Sequence, residues 1–153
     1  MVEELVEAWR INHRITMKVL DGLPLEALGA TLSSRGGRDI ARQFAHVHEV
    51  RAGWLLKADT PKGMTHFKKG ESPSRPMLKK ALDESADGIE SLIRRACAND
   101  GNPGRFHRHV VSLLGYFIAH EAHHRGSILL TAKQTGHKVG DELKWGIWAW
   151  DRI

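Results

Sequence analysis

Between Val110 and Thr131, apolar and small residues recur three and four positions apart, at Val110, Leu113, Phe117, Ile128 and Thr131, and His120 and His124 fall in the same stripe. Such spacing is one face of a helix, so this segment must bury that face against other helices. The two histidines are a helical turn apart and project towards a common point. A lone histidine on an apolar face is ordinarily held by a hydrogen bond, because an unpaired buried polar ring costs a few kcal/mol. Two at this spacing point instead to a shared partner, and a divalent transition metal coordinated through neutral imidazole nitrogen supplies one. His123 is displaced by about 100° around the helix, which places it outside that pair.

The rest of the chain repeats the helical pattern. Val2, Leu5, Val6, Trp9, Thr16, Val19 and Leu20 form a first stripe that stops near Asp21 and Gly22, with Pro24 beyond. Residues 23–37 carry Pro24, Gly29, Ser33, Ser34, Gly36 and Gly37 and read as a connection with a short helical turn at residues 25–28. A second helix begins near Arg38 and Asp39, carries Ile40, Phe44, Val47, Val50, Trp54 and Leu55, and dissolves at Asp59, Thr60 and Pro61. Residues 59–75, rich in Lys, Gly, Ser and Pro and including Lys62, Lys68 and Lys69, form a solvated crossover rather than a domain linker.

Ser74 is placed to cap a third helix with Pro76 just inside it, and Leu78, Leu82, Ser85, Ile89, Leu92 and Ala96 mark its buried face. The polar run 99–104 then implies an antiparallel fourth helix over about residues 106–135, capped by Gly136. The expectation is an all-α four-helix bundle, one domain over residues 1–153, with a long crossover between helices two and three. Trp145, Trp148 and Trp150, three of the five tryptophans, are expected to bury across the outside or end of the bundle, or to serve as a subunit contact or lid.

Composition narrows the function without naming it. At 41% hydrophobic and 27% charged residues the chain is ordinary globular material rather than disordered. Cys97 is the only cysteine, so no intrachain disulfide forms, and its apolar setting makes it a small core residue rather than a nucleophile. No run approaches the roughly 20 apolar residues that span a bilayer, and Glu3 and Glu4 near the start do not suit a signal peptide. A cytoplasmic protein with no membrane partner is expected. The net charge of +5 could attract anions or nucleic acid, but basic pairs such as Lys68-Lys69, Lys79-Lys80 and Arg94-Arg95 are dispersed and carry no reading motif. Nucleic acid is therefore the weaker expectation, and a small-molecule substrate the stronger.

A third metal ligand should come from a facing helix. His13, His46 and His48 are the candidates, and His46 is preferred because Gln43, Val50 and Gly53 share its face. His48 lies about 200° around the helix from it, so the two cannot both be ligands. Three histidines with open positions are a catalytic arrangement, able to lower the pKa of bound water or thiol. The segment from His120 to His124 also fits H-E-x-x-H, in which Glu121 would be a general base for a metal-dependent hydrolase. With ten histidines in the chain that match carries little weight, and a solvated surface position is the more ordinary reading of Glu121.

Residues 42–51 (RQFAHVHEVR), residues 116–127 (YFIAHEAHHRGS), Gly136-His137 and the Trp-x-Trp ending together resemble the DinB/YfiT-like family. The resemblance implies a four-helix bundle, commonly homodimeric, holding a divalent metal through His46, His120 and His124. It also implies thiol-dependent chemistry, S-transfer of a low-molecular-weight thiol cosubstrate above all. Arg51 and Arg125 are candidates for pairing with carboxylates of such a thiol, although a surface or structural ion pair is the more ordinary reading of each. Zinc or nickel is the expected metal, with iron next. The rival to the enzyme is a metal-binding stress-response protein without catalysis, its ion stapling helices two and four.

Overall fold

The computed structural model describes residues 1–58 and 63–153. The expected end of the second helix at Asp59, Thr60 and Pro61, and the charge of Lys62, lie outside them. Among the described residues five α-helices follow one another: α1 Val2–Gly22, α2 Ile40–Lys57, α3 Arg75–Cys97, α4 Val110–Gln134 and a short α5 Asp141–Gly146, with a 3-10 turn at Leu25–Gly29 after α1. No strand occurs among the described residues. α2 starts where the Asp39 side chain accepts the Arg42 amide, removing one of the helix's unpaired donors. Ser74 caps α3 by position but makes no side-chain cap bond, and a proline lies in its first turn. Two residues past the end of α4, Gly136 with a φ of +88° lets the His137 amide turn back onto the Ala132 carbonyl.

Two apolar clusters divide the interior. One gathers Val19, Leu20, Phe44, Leu82 and Ile128; the other gathers Val6, Trp9, Leu55, Ile89, Ile93 and Phe117. α1 and α4 run from the second cluster to the first, whereas α2 and α3 run from the first to the second. Because α2 and α3 are parallel neighbours, the chain has to travel back along the bundle between them, and this is why the crossover is long. Its described part is tied to the helices by side chains: His48 Nε2 meets the Thr65 carbonyl at 2.6 Å, Glu84 accepts the Thr65 amide and Glu49 accepts the Phe67 amide.

Between the clusters, all four long helices contribute a polar side chain to the same level: Asn12 and Thr16 from α1, Arg51 from α2, Ser85 from α3, and Glu121 and Arg125 from α4, every one of them buried. Trp9 borders this layer, its indole nitrogen donating to the Ala86 carbonyl and its ring lying 4.7 Å from the Arg51 guanidinium.

The expected helix spans hold to within a few residues, apart from the start of α4. Phe106 is outside the helix, packed on Trp54 with ring centroids 5.3 Å apart, and His109 caps α4 by accepting the Val111 amide on its ring nitrogen. Of the two C-terminal expectations, burial of the tryptophan run against the bundle needs correction. α5 docks through Leu143, but Trp145 and Trp148 are 64% and 73% exposed, so the tryptophan run is not swallowed by the bundle. Cys97 is partly buried against the second cluster. Among the described residues no helix is long and apolar enough to cross a membrane.

Candidate metal centre

His46 from α2 and His120 and His124 from α4 converge at the edge of the polar layer. One ring nitrogen from each can be chosen so that all lie within 4.8 Å of one another, and the ring centroids are 4.6 to 5.4 Å apart. Nδ1 of His120 and Nδ1 of His124 are buried without a hydrogen-bond partner, so no protein group fixes the tautomer of either ring. Buried polar atoms ordinarily have a partner, and their lack of one here fits a ligand set for a cation. Among the described residues this is the one group of three or more His, Cys, Asp or Glu side chains close enough to hold an ion.

The electrostatics agree with that chemistry. Burial, then the charges of Arg38 and His120, holds His46 below the ordinary histidine range. Burial does the same to His120 against the opposing pull of Glu121. His124 is lowered to about 4, by burial first and then by its two neighbours in the trio. Three imidazoles kept neutral at physiological pH have their lone pairs free for coordination. Tyr116 stacks on His120 with an interplanar angle of 20°, fixing the ring from the side of the second apolar cluster. His123 is exposed, its ring 5.2 Å from that of His124.

The other candidate third ligands lie elsewhere. His48 is fully buried and held to the crossover at Thr65. His13 reaches the other way, with Nε2 2.9 Å from Asp83 and Nδ1 3.4 Å from Arg51. The face argument that set His46 apart from His48 thus agrees with their placement.

Glu121, Arg51 and Arg125 are brought together, but with one another. Arg51 Nε and Nη2 each donate to a Glu121 oxygen at 2.7 Å, Asn12 and Thr16 donate to Oε2 at 2.8 and 3.0 Å, and Arg125 Nη1 stands 3.6 Å from it. Arg125 also donates to Asn12 Oδ1 and Thr16 Oγ1. Burial alone would raise the Glu121 carboxyl, but the charge and hydrogen bonds of Arg51, with Arg125 behind them, bring it below the ordinary glutamate range. The reading of Glu121 as a solvated surface carboxylate is therefore corrected: it is 1% exposed and ionised. With its carboxylate engaged four times over, it has the setting of a structural ion pair rather than of a general base. Arg51, 0% exposed and committed to Glu121 and the Leu82 carbonyl, has no free edge for a cofactor carboxylate. Sequence spacing could not reveal this pairing, because Arg51 and Glu121 stand 70 residues apart.

Two open clefts flank the trio. One, of about 280 Å³, borders His46 and is walled by Arg38, Arg42, Phe67, Lys68 and Lys69. The other, of about 310 Å³, borders His124 and includes Ser33, Arg38, Gln43, Ser127 and Thr131. Neither was legible beforehand, since the 3-10 turn, the loop after it and the crossover supply much of their walls.

Compared with known families, residues 1–142 match the sequence model of the DinB family. The chain belongs to the DinB family. Neither the curated proteins nor the solved structures provide a match. Membership accords with the helical bundle, and the histidine trio gives this DinB protein a group of residues that could bind a metal.

Proposed function

We propose that this DinB-family chain, as one domain over residues 1–153, binds a divalent transition metal, zinc or nickel ahead of iron, through His46, His120 and His124. We propose further that it uses the metal as an enzyme transferring a low-molecular-weight thiol. The observation that carries the reading is the trio itself: three ring nitrogens within 4.8 Å, two of the rings bearing a buried nitrogen without a partner, beside clefts open to solvent. When bound, such an ion supplies Lewis acidity that holds a coordinating thiol deprotonated at neutral pH. The chain's own part is to present neutral imidazoles, leave coordination positions open, and provide flanking clefts for the rest of the thiol and for an electrophile. In the transfer the sulfur forms a new bond to the electrophilic atom while that atom's leaving group departs with the electron pair of the broken bond. The thiol's proton passes to solvent.

Two rival readings fare less well. A purely structural staple would make the ion the main tie between α2 and α4, yet the buried Arg51–Glu121 pair already joins those helices. A hydrolase of the H-E-x-x-H kind needs a free carboxylate beside the ion, and Glu121 is fully engaged. A cytoplasmic homodimer with a role in stress response fits the reading without being required by it.

Elemental analysis of gently purified protein tests the proposal, set against a variant carrying His46→Ala, His120→Ala and His124→Ala. About one ion per chain, lost in the variant, is expected, and thiols would then be screened with electrophiles. A folded protein that takes up no metal after incubation with zinc or nickel would end the metal reading, and the transferase with it.

A further inference from the structure

Arg38 lines both clefts beside the histidine trio. It is exposed, its charge acts on all three rings, and its side chain has no hydrogen-bond or ion-pair partner among the described residues. A guanidinium left free at the mouth of a site is a fork suited to two oxygens of one anion.

The cleft on the His46 side strengthens the case. Arg38, Arg42, Lys68 and Lys69 contribute four cations to its wall, against Glu49 and Glu71. Both acids are already in use: Glu49 accepts the Phe67 amide and faces the His66 ring, and Glu71 accepts the Lys68 amide. Their hydrogen bonds hold the crossover in place, and that placement brings Lys68 and Lys69 to the cleft. Four cations against two carboxylates leave the wall net positive, and a cleft of net positive charge concentrates anions.

We infer that the thiol taken by this site carries an oxyanion group, carboxylate or phosphate, which lies in the His46-side cleft between Arg38 and the Lys68–Lys69 corner while its sulfur reaches the trio. The inference rests on the proposed metal and thiol reading and adds where the ligand's oxyanion sits and which residues select it. Arg38 makes the direct contact, and Lys68 and Lys69 supply field.

The protein loaded with cobalt(II) separates the possibilities. The metal's visible bands report the trio, and a sulfur-to-metal charge-transfer band reports thiol coordination. Four thiols are titrated at constant ionic strength: 3-mercaptopropionate, 2-mercaptoethyl phosphate, neutral 2-mercaptoethanol and cationic cysteamine. The anionic thiols should bind roughly tenfold tighter than the neutral one, and cysteamine weakest. Arg38→Ala should remove most of that preference while leaving cobalt stoichiometry intact, Arg38→Lys should keep part of it, and Lys68→Ala with Lys69→Ala should weaken it in a salt-dependent way. The relative affinity of the carboxylate and phosphate thiols identifies which oxyanion the corner fits. Equal binding of all four overturns the inference alone, and so does an anion preference that persists in Arg38→Ala, which would mark chelation by the metal. Cobalt bands without any charge-transfer band overturn the thiol reading and this inference together, and no cobalt bands overturn the metal reading beneath both.

Discussion

Replacing Glu121 with glutamine keeps the side chain's shape and removes the negative charge from the middle of the bundle. Arg51, with no exposed surface, and Arg125, with 7%, would then be left as buried cations without a counter-charge. The carboxylate accepts four short hydrogen bonds, two from Arg51 and one each from Asn12 and Thr16; an amide accepts through its oxygen alone, so the donors that face its nitrogen lose their acceptor. Removing one partner of a buried ion pair costs about 3–5 kcal/mol. For a chain of this size, Tm moves by about 2–4 °C per kcal/mol, so a fall of roughly 6–20 °C is expected. Urea unfolding followed by far-UV circular dichroism should give a lower midpoint with unchanged slope.

The deficit also has a pH signature. Because the folded Glu121 carboxyl lies below its usual value of 4.5, the unfolded chain takes up that proton first. The stabilisation is complete above 4.5 and is lost as pH falls through the folded value. The gap between wild type and Glu121→Gln should therefore narrow in acid. Glu90→Gln, which breaks the solvent-facing contacts with Arg10 and Arg94, serves as the control and should cost far less. A loss for Glu121→Gln below about 1 kcal/mol, the level of an exposed pair, would refute the view that this network is the polar centre of the fold.

His124→Ala should abolish metal uptake in elemental analysis while His123→Ala keeps most of it; equal uptake by the two variants would overturn the assigned register. Treatment with a chelator should strip the metal yet leave far-UV helicity nearly unchanged, because the Arg51–Glu121 pair persists, and a collapse of helicity would favour the staple. Burial, then the charge of Arg51, lowers His13 below 6.5, so its neutral ring contributes stability that is present above that pH and lost as pH falls towards the folded value. His13→Gln should accordingly flatten, without abolishing, the acid-side slope in pH-dependent urea midpoints. Gly101→Ala places a Cβ 1.8 Å from His109 Nε2 at a φ of +76°; left-handed strain of about 1–2 kcal/mol adds to the loss of the α4 cap, about 1 kcal/mol, and thermal melts should show it.

What could be read from the sequence was what repeats locally. α1 and α3 carry a stripe every turn, and their spans followed from it. The facing of His46, His120 and His124 followed in the same way, because a helix fixes which residues share a side. The polar run 99–104 places the start of α4 near residue 106, but the connection is longer: it turns through left-handed Asp100, Gly101 and Gly104, and His109 supplies the cap. Glu121 differs for another reason: its partners lie on other helices as well as its own, and no local pattern separates a carboxylate aimed at an ion from one aimed at a guanidinium. The ion pairs that are the ordinary reading of Arg51 and Arg125 are present, but the spacing does not name their partner. The tryptophan tail shows the limit of composition, since apolar area alone does not say whether the bundle's end has room for it.

The order in which the bundle closes decides when its centre comes into being. The ion pair joins residues 70 apart, and His46 is separated from its two companions by the whole of the crossover and α3. A chain emerging from a ribosome with α1 to α3 complete offers a metal no more than one imidazole of the three and leaves Arg51 without its counter-ion. Only the arrival of α4 creates both at once. Under the proposed metal reading, acquisition follows the docking of α4, and occupancy reports that this helix is in place.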